Sequence, residues 1–186
     1  GFPPGTIRGG THLGNSTATT AQTDLTLAYN AAATQAVTQN LSGQNLGGKT
    51  LKPGVYKFNG NAALAGTLSL NNNGNPDAVF IFQVDGNLLV SNSASIELLE
   101  AAKPRIGNIF WQVNGSVTIG AGSFFRGTIM ANQTITMETG ATIQGRLLSR
   151  LGNVNLVNNI ITIPTDLAVT KSKSPGVKFP ELYSVG

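Results

Sequence analysis

SVTIGAGSFFRGTIM, at residues 116–130, recurs without a gap as TITMETGATIQGRLL, at residues 134–148. Each copy contains alternating apolar residues, then a corner of small residues, then a second alternating stretch. This pattern, returning after 18 residues, is typical of one coil of a β-solenoid. The repeat therefore predicts a coiled, mainly β fold with a ridged outer surface.

Related segments extend the coil on both sides. VFIFQVDGNLLV, at residues 79–90, matches NIFWQVNGSVTI, at residues 108–119, position for position. Half-coils appear at residues 66–74 and at residues 152–163, the second shifted by one residue. Residues 98–107 read as an excursion, because Pro104 cannot donate to a strand ladder. We therefore expect an irregular β-helix.

One helix is expected before the coils. The spacing of its apolar residues is typical of a helix that packs on one side: Ala21, Leu25, Ala28, Tyr29, Ala32 and Ala36. We predict that it covers about residues 17–37, lies along one wall of the solenoid and has Ser16, Thr17 or Thr19 as its N-cap.

Alternation assigns the side chains of each coil. Val117 and Ile119 are predicted to point inward with Ile135, Met137, Val154 and Leu156, whereas Thr118, Thr136 and Asn155 form an outward column. A second column is expected at the corner that follows, at residues 92–95, 121–124, 139–142 and 157–160. Rungs about 4.7–4.9 Å apart would make these columns a rigid grid.

Composition excludes several classes of partner. Only 11% of the residues are charged, against about 25% in typical soluble domains. The net charge of +4 is scattered, so nucleic-acid binding is a poor interpretation. There is no cysteine and no apolar run long enough for membrane insertion. Lys171, Lys173 and Lys178 cluster in a tail that we expect to be solvated.

Residues suited to catalysis or metal binding are few. His12 is the single histidine, and the eight acidic residues show no recurring pair. We therefore predict no catalytic residue, no metal site and no cofactor. Asp85 aligns with Asn114 and Asn132, which indicates a corner-turning role. Phe110 and Trp111 are predicted to pack in the core or against the helix rather than to stack on a sugar.

Six segments, in this order, resemble the microbial ice-binding proteins of the DUF3494 type: residues 1–12, 21–33, 46–58, 77–88, 107–120 and 139–162. The resemblance covers about residues 1–164. It implies a right-handed β-helix of triangular cross-section, a long helix along one face and adsorption to ice through another face. The family's Thr-Gly/Ala-x-Thr/Asn pattern is met at residues 139–142.

A surface that adsorbs to ice must hold ordered water, so it needs short, stiff, uncharged side chains in a fixed array. Threonine is suitable because its β-branch restricts χ1. Which outward column carries the activity stays open, since Ala121, Phe124, Val157 and Ile160 replace the pattern in other coils. The candidate ice-binding residues are Asn92, Ser95, Thr118, Ser123, Thr136, Thr139, Ala141, Thr142, Asn158 and Asn159.

The resemblance also sets expectations about the chain as a whole. Residues 1–164 form the ice-binding domain, without the N-terminal coils usual in the family, and residues 165–186 form a tail that is either a cap or disordered. We expect self-association through an uncapped solenoid end unless the tail covers it. The predicted function is that of a secreted, extracellular, non-enzymatic ice-binding protein. The alternative is a cell-envelope adhesin or carbohydrate-binding solenoid module.

Overall fold

The structure is a computed structural model and describes residues 10–99 and 105–163. The described residues form one α-helix, α1 (Ser16–Ala33), a short 3-10 helix (Ile106–Asn108) and fifteen strands. The strands are β1 (Gln39–Asn40), β2 (Thr50–Leu51), β3 (Gly54–Phe58), β4 (Ala62–Leu64), β5 (Thr67–Asn71), β6 (Phe80–Val84), β7 (Leu88–Val90), β8 (Ser95–Leu99), β9 (Ile109–Val113), β10 (Val117–Ile119), β11 (Phe124–Ala131), β12 (Ile135–Met137), β13 (Thr142–Ser149), β14 (Val154–Leu156) and β15 (Ile160–Thr162).

The strands stack in parallel into three walls, as in a triangular solenoid. The helix wall consists of β1, β3, β6, β9 and the second halves of β11 and β13. The short-strand wall consists of β4, β7, β10, β12 and β14. The charged wall consists of β2, β5, β8, the first halves of β11 and β13, and β15. The predicted mainly β solenoid with one flanking helix is confirmed.

The pairing register follows the sequence repeat. Val117 pairs with Ile135, and Met130 pairs with Leu148. The two copies of the repeat therefore keep the 18-residue offset from the first of these pairs to the second. The match of residues 79–90 to residues 108–119 is also confirmed, because β6 pairs with β9 from Phe80 opposite Ile109 to the strand ends. Repeat units that align in sequence are thus stacked in space.

The two long insertions lie at one corner of the solenoid. Residues 72–79 and 100–108 are inserted where the chain passes from the charged wall to the helix wall. The second insertion begins later than predicted, because Leu98 and Leu99 still belong to β8, where they pair with Leu70 and Asn71. The other two corners keep short connections of two to four residues, and the one-residue shift of the last coil lies between β13 and β14. The short-strand wall therefore stays in register.

Two strands pass this same corner with no insertion. β11 and β13 turn at Gly127 and Gly145, which pair with each other. A Cβ on Gly145 would lie 1.9 Å from the carbonyl oxygen of Gly127, and a Cβ on Gly127 would lie 2.7 Å from the carbonyl oxygen of Ile109. Only glycine lets consecutive rungs approach this closely.

Apolar and aromatic side chains fill the solenoid. Phe82 stacks on Trp111 with ring centroids 3.8 Å apart, and Tyr56 and Phe125 extend the stack on either side. Trp111 is completely buried, and its Nε1 donates to the carbonyl oxygen of Arg126 over 3.2 Å. The aromatic residues therefore serve packing, as predicted, and burial raises the pKa of Tyr56.

Helix α1 packs on the helix wall through Leu25, Ala28, Tyr29 and Ala32, which contact a cluster that includes Ile81 and Met130. The predicted stripe is confirmed at these four positions, whereas Ala21 and Ala36 are exposed. Phe110 packs against the same cluster. The small residues Ala28 and Ala32 let the helix approach the sheet closely.

Both helix ends differ from the prediction. Asn15 is the N-cap, with its side-chain oxygen accepting from the amide of Ala18 over 3.1 Å, so Ser16, Thr17 and Thr19 lie inside the helix. The helix stops at Ala33 rather than near residue 37. Gln83 explains this early stop, because its Nε2 donates to the carbonyl oxygens of Ala32 and Gln35 over 2.9 Å each. The wall thus satisfies carbonyls that a further turn would have used.

The tail predicted at residues 165–186 lies outside the described residues. Over residues 10–99 and 105–163, no helix has the length and apolar character needed to cross a membrane.

Candidate functional site

The three walls differ in what they present outward. Helix α1 lies against the helix wall. The charged wall carries Glu97 and Arg126 on its outer surface. The five strands of the short-strand wall contain no charged residue, and Glu138 stands at its edge as an exposed carboxylate. The short-strand wall is therefore the surface best suited to contact an uncharged, ordered ligand.

A single outward column runs up the middle of the short-strand wall. The pairing places its members directly above one another, one from each strand: Ala63, Leu89, Thr118, Thr136 and Asn155. Thr118 and Thr136 are half-buried, and the side chain of Asn155 approaches the Thr136 hydroxyl at 3.5 Å. The inward neighbours Val117, Ile119, Ile135 and Met137 are buried. The predicted alternation is confirmed in these strands.

The corner that follows this wall adds exposed polar residues. Asn92 and Thr139 hold equivalent corner positions, and Asn158 follows at the next position. Asn92 is partly engaged, because its side-chain oxygen accepts from the amide of Ala121 over 2.9 Å. The corner bends through residues with positive φ, including Ser93 at 57° and Gly140 at 72°. These side chains extend the surface of the wall to its edge.

Three of the predicted residues do not belong to this surface. Ser123 and Ala141 are buried, and the Ser123 hydroxyl donates to the carbonyl oxygen of Gly120 over 2.7 Å. Asn159 turns toward the preceding rung and donates to the carbonyl oxygens of Glu138 and Ala141 over 2.7 and 3.1 Å. Ser123 and Ala141 are therefore not exposed as predicted, because the corner turns the residue after each positive-φ position inward. Asn159 is half-buried.

Ser95 and Thr142 lie on a different wall from Thr118 and Thr136. They begin strands of the charged wall, in one column with Phe124 and Ile160. The Ser95 hydroxyl lies 3.0 Å from the Thr67 hydroxyl in the neighbouring rung. The sequence-predicted set is thus divided between the short-strand wall, its corner and the charged wall.

Arg126 lies on the outer surface of the charged wall and contacts several of its residues. Its guanidinium carbon lies 4.4 Å from the centre of the Phe124 ring, and its Nε donates to the side-chain oxygen of Gln144 over 3.1 Å. It also donates to the carbonyl oxygen of Ile96. Burial lowers the pKa of Arg126, and the charge of Glu97 opposes that shift. The side chain is held by its own wall.

Sequence reasoning missed two residues of the central column. Ala63 and Leu89 share the column with the two threonines, and Leu89 is 47% exposed. The sequence could have placed Leu89 in this column, because the alignment of residues 79–90 with residues 108–119 puts Leu89 opposite Thr118. The column is therefore apolar in its first two rungs and polar in the next three.

Several other polar side chains form bonds at the corner beside helix α1. Asp85 forms an ion pair with Lys57. Asn132 accepts from Arg150 Nη1 over 2.9 Å, and the Arg150 guanidinium lies over the Tyr29 ring at 4.7 Å. Asp85, Asn114 and Asn132 lie at one corner, but the bonds found for them run to neighbouring coils and not to their own backbone. Within the described residues there is no group of three or more His, Asp or Glu side chains placed to hold a metal.

Comparison with known proteins identifies relatives along most of the chain. The profile of the ice-binding-like family matches residues 3–162. An ice-binding protein of Nostoc sp. (strain HG1) is 39% identical over 163 residues, which are 87% of this chain and 60% of that protein. An ice-binding protein of Flavobacterium frigoris (strain PS1) is 39% identical over 148 residues, which are 78% of this chain and 52% of that protein. The chain thus spans about half to three fifths of these relatives' lengths.

Solved structures show the same fold. The ice-binding protein of the Antarctic ascomycete Antarctomyces psychrotrophicus superposes with a TM-score of 0.83 at 38% identity, covering 88% of this chain and 79% of that chain. An ice-binding protein from an Antarctic biological consortium gives a TM-score of 0.84 at 36% identity, covering 88% of this chain and 74% of that chain.

Proposed function

The chain belongs to the ice-binding-like family, and we propose that it adsorbs to ice crystals through the short-strand wall and the corner that follows it. Adsorption would produce thermal hysteresis and inhibit ice recrystallisation. The observation that carries the proposal is the uncharged short-strand wall, with its outward column in register over five rungs. The proposed role is extracellular and non-enzymatic, and the ice crystal is the partner.

Rigidity is the physical reason for choosing this wall. Each rung repeats at about 4.7–4.9 Å, so the outward side chains form a fixed array. Thr118 and Thr136 add a methyl group and a hydroxyl with little rotamer freedom. Immobilising each bridging water costs up to about 2 kcal/mol. Many preordered positions therefore hold an ice-like water layer better than a few strong ones.

The charged wall is less suited to this task. Glu97 and Arg126 carry full charges beside the Ser95 and Thr142 column, and such charges orient water around themselves. Thr142 is half-buried and stands between Phe124 and Ile160 in adjacent rungs. We therefore propose that Thr118, Thr136, Thr139, Asn92 and Asn158 contact ice, and that Thr142 contributes little.

Matched tyrosine substitutions test the choice of wall. Thr136→Tyr should abolish most ice shaping and thermal hysteresis, since one bulky side chain prevents flat contact. Thr136→Val should act more mildly, because the methyl groups and the shape persist. Thr142→Tyr should retain most activity with an unchanged melting temperature, and so should Ser69→Tyr, which lies elsewhere on the charged wall. Full activity in Thr136→Tyr together with loss in Thr142→Tyr would move the site to the charged wall.

The adhesin alternative gains no support from the described surface or from the relatives named above, which are ice-binding proteins. Retention of the purified protein on a polysaccharide column, combined with an absence of ice shaping, would restore it.

A further inference from the structure

Asparagine side chains connect consecutive coils at the corner where the chain enters the short-strand wall. The side-chain oxygen of Asn61 accepts from the amide of Asn87 over 2.9 Å, and the side-chain oxygen of Asn87 accepts from the amide of Ser116 over 2.9 Å. These residues form one column, because each directly precedes a paired strand of the wall. Each carboxamide therefore ties one coil to the next just outside the strands.

Glycine in the following coil makes room for each of these side chains. A Cβ on Gly86 would lie 2.4 Å from the Asn61 side-chain oxygen, and a Cβ on Gly115 would lie 2.2 Å from the Asn87 side-chain oxygen. Each glycine directly precedes the residue whose amide donates. The two residue types therefore form an interlock, in which the asparagine oxygen occupies the space that a β-carbon would need.

The rung of Thr118 is held in this way at both of its ends. Before the strand, the bond is the one accepted by Asn87. After the strand, the side-chain oxygen of Asn92 accepts from the amide of Ala121 over 2.9 Å, and a Cβ on Gly120 would lie 2.7 Å from that oxygen. The position of the rung along the solenoid is therefore fixed on either side of its threonine.

The next two members of the entry column are Ser116 and Thr134. In the coil after Ser116, Gln133 stands where the earlier coils have glycine, so its β-carbon takes the space that an asparagine oxygen would need. Thr134 is followed by Gly152 in the next coil, but its hydroxyl accepts from the amide of Asn153 only over 3.5 Å. This distance exceeds the roughly 2.7–3.2 Å of a well-formed N–H···O bond.

We propose that Asn87 and Asn92 are positioning residues for the ice-contacting surface, because they keep the Thr118 rung level with its neighbours. This inference rests on the proposed function of the short-strand wall. An array holds ordered water only while its side chains keep fixed spacings. A strand of three residues has few ladder bonds with which to resist tilting, and the two asparagine bonds beyond its ends supply that constraint.

Asn87→Ala tests this role, since Asn92 is itself a proposed contact with ice. Loss of the acceptor should speed hydrogen exchange of the Ser116 amide by about tenfold or more. It should also reduce thermal hysteresis to less than half of the parent value at matched protein concentration. Asn87→Asp keeps an oxygen acceptor, so exchange of the Ser116 amide should stay slow.

Thr38→Ala is the matched control on another wall. The Thr38 hydroxyl also accepts from an amide of the next coil, that of Val55 over 3.0 Å, and Thr38 directly precedes β1 of the helix wall. Its loss should speed exchange of the Val55 amide and leave hysteresis at the parent value. The melting temperature of each variant shows whether the two bonds contribute equally to stability.

A gain of the interlock can be tested where glycine is already present. Thr134→Asn should place a side-chain oxygen against Gly152 and slow exchange of the Asn153 amide several-fold. Ser116→Asn, which meets Gln133, should give no such protection and should lower the melting temperature. Protection gained equally by both variants would show that glycine is not required.

Unchanged exchange of the Ser116 amide in Asn87→Ala would overturn the interlock. Faster exchange with full hysteresis would overturn the positioning role, and so would an equal loss of hysteresis in Thr38→Ala, because both results would reduce the bond to general stability. A parent protein without hysteresis would overturn the proposed function and the positioning role with it. The interlock itself would then still be decided by hydrogen exchange alone.

Discussion

Ile135 and Thr136 are adjacent in the chain and lie on opposite sides of one strand. Ile135 is completely buried, and Thr136 faces outward. We expect Ile135→Asn to lower the free energy of unfolding by at least about 1–3 kcal/mol, because it buries an amide without a partner. Thr136→Asn is the matched control, since Asn155 occupies the same column in the next rung. Urea unfolding of both variants checks this, and equal stability would disprove the inward assignment.

The alternation of inward and outward side chains could be predicted from the sequence, because it holds wherever the backbone is extended. It predicted both faces of β10 and β12, but it failed at Ser123, Ala141 and Asn159. Each of these follows a residue with positive φ, namely Gly122 at 64°, Gly140 at 72° and Asn158 at 52°. A left-handed residue reverses the direction of the next side chain. Glycine marked two of these corners in advance, but nothing in the sequence alone indicated which side chain would turn inward.

Two buried tyrosines make stability sensitive to alkaline pH. Burial raises the pKa of Tyr29 and of Tyr56 above the ordinary value of 10.0. A pKa that is higher in the folded state contributes stability below about pH 10, and this contribution is lost as pH rises through the folded value. We expect the urea midpoint to fall above about pH 10. The decline should be smaller in Tyr29→Phe with Tyr56→Phe, and an identical decline would refute the assignment.

At the scale of elements, β11 and β13 depend on glycine at the corner where earlier coils use insertions. Gly145→Ala would place a Cβ 1.9 Å from the Gly127 carbonyl oxygen, whereas a Cβ on Gly140 meets nothing within 4 Å. Gly140→Ala should cost about 1–2 kcal/mol, the penalty for a left-handed alanine. Gly145→Ala should cost more, because neither backbone can move aside. Thermal unfolding of both variants distinguishes them, and equal losses would argue against the close approach.

Helix α1 shows which parts of an element depend on distant residues. Its buried stripe follows local spacing and was predicted from the sequence. Its end at Ala33 was not, because it depends on Gln83, which lies 51 residues from Ala32 in the chain. The first residue could have been found, since asparagine is among the strongest N-caps and Asn15 stands directly before the helix.

At the scale of the whole molecule, the two long insertions lie at the corner farthest from the short-strand wall. That wall can therefore keep one register through five rungs while the coil lengths vary. The family resemblance predicted the fold and an ice-contacting face. The sequence did not decide which of two outward columns lies on that face. The structure distinguishes them by their surroundings, because Arg126 and Glu97 stand beside the Thr142 column and no charged side chain lies in the strands of the other wall.

The size of the proposed ice-contacting array depends on the composition of the central column. Leu89 separates Ala63 from the polar rungs that begin at Thr118. Leu89→Thr should extend the array by one rung and raise thermal hysteresis modestly, since a smaller residue with a hydroxyl restores the flat repeat. Leu89→Lys should lower hysteresis, because its long charged side chain orients water away from the lattice arrangement.

Both substitutions fall on an outward position, so the melting temperatures should stay close to that of the parent. Hysteresis measured at matched protein concentration would then report the surface alone. If neither substitution changes hysteresis, ice contact does not reach the β7 rung, and the functional array is confined to the rungs of Thr118, Thr136 and Asn155.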